Sequence, residues 1–220
     1  MTRTTAMTAL LTGFGPFPGV PVNATMHLVQ QLAAEARSAL PGLTIAEAVL
    51  PTEWDAGPAL LTRLVAQHRP EVVISFGVSP HARGFEIETV ARNHCAARPD
   101  ASGRLPLSIQ IASEGPSLLE ARLPVRKIVR RLRARNIPAF ASSDAGDYLC
   151  NRTLYDLIRL ARHNAGIRHA GFVHLPNALE AAGPASPLTW AQALSGGIEI
   201  LAACTGRRHP RRNLFEAMSD

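Results

Sequence analysis

The sequence predicts an α/β fold with a mostly parallel central sheet covered by helices on both faces, and a small β excursion near residues 84–112. Three observations carry this. Short apolar runs alternate with longer segments whose apolar residues recur at helical spacing. The clearest run, residues 71–77 (Glu-Val-Val-Ile-Ser-Phe-Gly), is continuously apolar and β-branched, as a strand buried on both faces must be. At 220 residues, the chain is long enough for one substantial core and short for two, so residues 1–220 are expected to form a single domain.

In order, residues 8–13 read as a buried strand that stops at a loop rich in Gly and Pro, Phe14-Gly15-Pro16-Phe17-Pro18-Gly19. A helix follows Asn23-Ala24-Thr25, with Leu28, Leu32 and Ala33 facing inward. Residues 44–50 form a second strand, and Leu60, Leu61, Leu64 and Val65 mark a helix running towards His68. The third strand, residues 71–77, is closed by a glycine. The rhythm then breaks: residues 85–91 alternate with period two, as in a half-exposed strand, and residues 98–103 are a turn-rich excursion beside the active face. It resumes with a helix carrying Val125, Ile128, Val129 and Leu132, a strand at 137–141, and a helix marked by Leu154, Leu157, Ile158 and Ala161. A strand at 170–176 and a last helix from about 187 to 203 close the domain, leaving a basic tail at about 206–220.

Composition narrows the function. A hydrophobic fraction of 46% with 5% aromatics describes a soluble globular chain with an aliphatic core. No apolar run approaches the roughly 20 residues of a membrane span, and the N-terminus is too polar for a signal peptide, so a cytoplasmic protein is expected. Three widely spaced cysteines, Cys95, Cys150 and Cys204, suit neither a disulfide framework nor a zinc site. The net charge of +6 invites a nucleic-acid reading. However, the basic residues fall on one amphipathic helix (Arg126, Lys127, Arg130, Arg131, Arg133, Arg135) and in the tail (Arg207, Arg208, Arg211, Arg212), with no interleaved aromatics, which argues against it. The glycines at 13, 15 and 19 match neither a phosphate loop nor a dinucleotide fingerprint, so no cofactor is expected.

The chemistry gathers around residues 142–151, Ser-Ser-Asp-Ala-Gly-Asp-Tyr-Leu-Cys-Asn, which lie between a strand and a helix. Cys150 therefore falls at or near a helix N-terminus, where unpaired N–H groups and the helix dipole favour a thiolate. A thiol nucleophile needs a base, and the base needs a group to orient it. Of the eight histidines, His174 is best placed, at the end of an apolar strand. Glu88 is the favoured orienting carboxylate, and Glu86, two positions earlier on the same side of a strand, stays open as the alternative. Strand ends at residues 12–14, 76–78, 142–143 and 174–176 are expected to meet in one crevice.

Four segments, in order, resemble the pyroglutamyl peptidase I (pyrrolidone carboxyl peptidase) family of cysteine peptidases, from about residue 9 to about residue 205. They are Leu11-Thr12-Gly13-Phe14-Gly15-Pro16-Phe17 with Val22-Asn23; Glu88-Thr89-Val90-Ala91-Arg92-Asn93; Ala145-Gly146-Asp147-Tyr148-Leu149-Cys150-Asn151 with Tyr155; and Gly171-Phe172-Val173-His174-Leu175-Pro176. The resemblance implies a three-layer α/β/α sandwich, a Cys150–His174–Glu88 triad and a thioester intermediate. It also implies peptides blocked by N-terminal pyroglutamate as substrates, and a homo-oligomer, commonly a tetramer. Its implied substrate-binding set is Phe14, Phe17, Asn23, Val78, Arg83, Tyr148 and Leu149. Phe14 and Phe17 would sandwich the flat lactam, or serve only as core, and Asn23 would pair with its amide.

One loop departs from the family pattern. Residues 77–83, Gly-Val-Ser-Pro-His-Ala-Arg, replace a segment resembling Gly-Gln-Ala-Gly-Gly-Arg, so Val78 stands where a glutamine is usual and Arg83 comes one position late. That leaves two alternatives: a thiol amidohydrolase with a different acyl specificity, or a catalytically degenerate binding protein whose basic helix and tail hold an acidic partner.

Overall fold

A computed structural model of the protein describes residues 7–177, 179 and 187–209. Among these, the strands in chain order are β1 (Met7–Phe14), β2 (Leu43–Leu50), β3 (Val72–Ser79), β4 (Phe85–Glu88), β5 (Val90–Arg92), β6 (Leu118–Glu120), β7 (Ala139–Ser142) and β8 (His169–Pro176). The helices are α1 (Ala24–Ala39), α2 (Ala56–His68), α3 (Val125–Arg133), α4 (Leu149–His163) and α5 (Trp190–Thr205). Six strands make the central sheet in the order β2-β1-β3-β8-β4-β7, and β5 and β6 form a separate ribbon. β2, β1, β3 and β8 are mutually parallel; β4 runs against β8 and alongside β7.

Both faces are covered because successive strand residues feed opposite cores. Ala9, Leu11, Val72 and Ile74 pack with Leu28 and Leu32 of α1, Ile128 and Leu132 of α3, and Ile198 and Leu201 of α5. Leu10, Val73 and Phe172 pack on the other side with Leu61 and Val65 of α2 and Leu154 and Ile158 of α4. A strand buried from both sides has no polar face, which explains the continuous apolar runs. At about 1.5–3 kcal/mol for each fully buried Leu, Ile or Val side chain, these two layers dominate the stability.

Helix starts follow local chemistry. α1 opens after Asn23, whose side-chain oxygen accepts from the Thr25 amide at 3.2 Å. α5 begins at Trp190, three residues later than its apolar pattern suggests, because Thr189 and Gln192 form a reciprocal capping box.

Two expectations are corrected. First, residues 85–88 are not part of the excursion: β4 is inserted between β8 and β7 in the central sheet, and the chain leaves the sheet only after Thr89. Nor is β4 half-exposed, since Phe85, Ile87 and Glu88 are all fully buried. Second, the third strand does not close at Gly77 but runs on to Ser79, paired throughout with β8. The tail is expected from about 206, and α5 ends at Thr205. Arg207 donates to the carbonyls of Pro41 (3.2 Å) and Gly42 (2.6 Å), and His209 contacts Glu199 at 2.9 Å, while residues 210–220, with Arg211 and Arg212, lie outside the described residues. No helix among the described residues is long and apolar enough to cross a membrane.

Candidate active site

The sheet itself aligns the reactive groups. Gly77 of β3, His174 of β8, Glu86 of β4 and Phe140 of β7 are successive register partners, so they form one row across the sheet and project from one face. That face is the one covered by α2 and α4, and beyond the start of α4 it is open. The result is a cleft of about 920 Å³ whose lining includes Phe17, Val78, Glu86, Phe140, Tyr148, Cys150 and His174.

Cys150 is the second residue of α4, whose N-cap is Tyr148 and whose first turn has no side-chain cap among the described residues. Its N–H groups therefore remain available at the cleft. The approach loop turns at Gly146, whose φ of +75° favours glycine. Directly beneath, a Cβ on Gly77 would lie 3.3 Å from Cys150 Sγ and 2.6 Å from Phe172 Cζ, so only glycine lets Cys150 settle against the sheet.

His174 Nδ1 lies 2.8 Å from Glu88 Oε1, and both side chains are buried. Burial disfavours the imidazolium, but charge and hydrogen bonding from Cys150, followed by Glu88, outweigh it and push His174 up to about 10. The imidazole thus stands between Cys150 and Glu88, and both favour its protonated form. Burial pushes Cys204 up to about 12 and raises Cys95, so neither is a nucleophile near neutral pH.

The excursion, joined to the sheet through β5 and β6, braces this helix start. Asn151, next to Cys150, donates to the carbonyls of Arg92 and His94 (2.8 Å each) and accepts from the Arg92 amide at 2.8 Å. Buried Asp100 accepts from the amides of Trp54, Ser102 and Arg104. Those bonds and the Ser102 hydroxyl outweigh its burial and hold its carboxyl below the usual range. Trp54 then meets the Tyr148 ring edge-on at 5.1 Å, and Tyr148 donates to the Pro99 carbonyl at 2.9 Å. The long insertion is thus a buttress for Tyr148, the N-cap of α4.

Of the substrate-binding residues expected from sequence, Phe17, Val78 and Tyr148 line the cleft. Phe14 does not: it is buried in the core, with its ring 6.0 Å from that of Phe172. Leu149 is likewise buried, packed with Trp54 and Cys95. Asn23 is buried and its amide is occupied, accepting from Thr25 and donating to the Gly15 carbonyl at 3.2 Å. Arg83 is exposed and outside the lining. Three of the four expected strand ends meet in the cleft, through Val78, Ser142 and His174, whereas β1 contributes through Phe17 of its following loop rather than through residues 12–14. Sequence reasoning missed Phe140, Arg98 and Asn177 in the lining, and only the pairing register signals the first of these.

The family model described as pyroglutamyl peptidase matches residues 7–185 of the chain. A pyrrolidone-carboxylate peptidase of Gloeobacter violaceus is 39% identical over 171 residues, covering 77% of this chain and 82% of the relative. Pyrrolidone-carboxylate peptidase 1 of Ralstonia nicotianae is 35% identical over 204 residues, covering 91% and 94%. The crystal structure of pyroglutamyl peptidase I from Bacillus amyloliquefaciens superposes with a TM-score of 0.81 at 29% identity, covering 90% of this chain and 97% of that one.

Proposed function

Because the chain belongs to the pyroglutamyl peptidase family of cysteine hydrolases, we propose that it removes N-terminal pyroglutamyl groups from peptides through a Cys150–His174–Glu88 triad. The supporting observation is the buried 2.8 Å contact between Glu88 and His174, with Cys150 on the other side of the imidazole over Gly77.

The thiolate of Cys150 adds to the acyl carbonyl and a tetrahedral oxyanion forms. The backbone N–H groups at the uncapped start of α4 supply hydrogen bonds to that oxygen. The His174 imidazolium gives its proton to the leaving nitrogen, the C–N bond breaks, and a thioester remains. The now neutral imidazole takes a proton from water, whose oxygen attacks the thioester; collapse releases the acid and restores the thiolate–imidazolium pair. Glu88 fixes the ring by accepting from Nδ1–H in both protonation states, so Nε2 alone exchanges the proton.

A second reading has its own observation. The side chain of Val78 in the cleft wall has no amide, and Asn23 is committed to the start of α1, so neither side chain supplies the lactam with hydrogen bonds. A related small N-terminal acyl group is therefore the alternative substrate.

The test is hydrolysis of a fluorogenic pyroglutamyl amide in reducing buffer. Wild type is expected to turn over and Cys150→Ala to lose at least about 10⁴-fold in kcat. The same variant removes the largest influence raising His174, so a histidine NMR titration should find its pKa below about 10. A folded wild type that is alkylated selectively at Cys150 yet leaves the amide intact would refute the pyroglutamyl specificity and favour the second reading.

A further inference from the structure

We infer that the cleft carries a leaving-group subsite, built on Glu86 and Phe140, that selects peptides whose first residue after the scissile bond is cationic. The inference rests on the peptidase reading above.

The row Gly77–His174–Glu86–Phe140 sets the direction. Cys150 lies over Gly77 at one end, so the acyl carbon is attacked there, and Phe17 and Tyr148, whose rings are 6.2 Å apart, flank that part of the cleft. The leaving nitrogen must meet the His174 imidazole, one strand along. The next side chain of the peptide then faces Glu86 and Phe140, the following two positions of the row. A cleft of about 920 Å³ has room for both halves of such a substrate.

Charge singles out Glu86. Asp144 is paired with Arg92 at 2.8 Å, and Asp147 with Arg98 at 3.7 Å. Arg98 in turn lies over the Tyr148 ring, 4.3 Å from its centroid. Among the described cleft residues, Glu86 is the carboxylate with no ion-pair partner. It accepts the Arg83 amide; burial raises its pKa, His174 and His81 draw it down, and Glu88 adds to the rise. A cation delivered by the substrate would neutralise it in a partly desolvated setting, where such a contact outweighs an exposed surface pair. Beside it, Phe140 is 42% exposed, unusual for a phenylalanine. Its ring is held by the Arg133 guanidinium, 5.4 Å from the centroid. A carboxylate next to an exposed ring suits a lysine or arginine side chain, whose apolar stem lies against the ring while its charge meets the acid. An acidic side chain there would meet like charge.

The experiment compares kcat/KM for pyroglutamyl-lysyl, pyroglutamyl-alanyl and pyroglutamyl-glutamyl amides at pH 7, for wild type and Glu86→Gln. Wild type should favour lysine over glutamate by about 10-fold, with alanine between and most of the difference in KM. In Glu86→Gln that ratio should fall towards 1, and raised salt should shrink it in wild type but not in the variant. Equal rates on all three substrates in wild type, or a lysine preference that survives in a folded Glu86→Gln, would overturn the subsite alone. No turnover of any of them would overturn the peptidase reading and the subsite with it.

Discussion

Among the described residues, two histidines hold a buried glutamate through Nδ1: His174 with Glu88 at 2.8 Å and His209 with Glu199 at 2.9 Å. Their contacts match, yet their titrations move in opposite directions. His174 is pushed up to about 10 despite burial, because its strong neighbours, Cys150 and Glu88, are negative when charged. His209 is drawn below its ordinary value, first by burial and then by Arg135 and Arg131, against which its bond to Glu199 is insufficient. The carboxylates differ as well. Glu88 gives one oxygen to His174, and its other, Oε2, has no hydrogen-bond partner among the described residues. Both oxygens of Glu199 are taken, by Arg131 at 2.7 Å on one side and by Arg135 at 2.5 Å and His209 on the other. Surplus negative charge around a histidine–carboxylate pair favours the imidazolium, and surplus positive charge disfavours it.

Breaking the first pair should have the largest effect. Glu88→Gln preserves size but removes the charge and the obligatory acceptor, so Nδ1–H is no longer guaranteed and Nε2 loses its fixed role. The kcat for the pyroglutamyl amide should fall by about 10²–10⁴-fold with little change in KM, and the His174 pKa should drop. Steady-state kinetics with a histidine NMR titration measures both. An unchanged kcat would show that the imidazole is oriented by something other than Glu88.

Breaking the second pair should cost stability and spare catalysis. Glu199→Gln leaves Arg131 and Arg135 facing each other without the anion that separates them. Removing one partner of a buried pair costs about 3–5 kcal/mol, and the partial exposure of both arginines (25% and 20%) brings the expectation to about 2–3 kcal/mol. Denaturant titration should show that loss, with kcat/KM within about twofold of wild type.

Much of this contrast was legible in sequence on the catalytic side and little on the other. The alternation of apolar runs and helical spacing exposes the layered fold, because each strand is buried by its own local composition. The helix that begins near Cys150 shows in Leu154, Leu157, Ile158 and Ala161, and all four are buried. β4 was misjudged for a physical reason. Glu86 and Glu88 suggest a wetted face, but Glu88 is fully buried because its carboxylate meets a histidine 86 positions away, a pairing that no local pattern carries. Asn23 looked like a substrate ligand, whereas its position before Ala24-Thr25 makes it a helix cap, a local signal of equal strength. Phe140 reads as an ordinary strand residue until the register with Glu86 places it in the cleft. Glu199 lies in an apolar helix with no hint that Arg131, 68 positions earlier, comes to meet it.

The smallest effect, and the one that isolates the sign of the second pair, concerns pH. The folded state holds His209 below its ordinary value of 6.5, so between the folded pKa and 6.5 the unfolded chain binds more protons than the native one. Stability contributed by neutral His209 is therefore fully present above 6.5 and is lost as pH falls through the folded pKa. His209→Asn keeps a side-chain donor near Glu199 but cannot take up the proton. It should flatten that part of the acid-side decline in unfolding free energy, while leaving the slope above pH 7 as in wild type. The change should be small beside that of Glu199→Gln, since the two arginines still hold the carboxylate. A decline steeper in wild type than in the variant only above pH 7 would give His209 a raised pKa instead. The two histidine pairs would then be alike, and the surplus positive charge of Arg131 and Arg135 would not be what separates the His209–Glu199 pair from the His174–Glu88 pair.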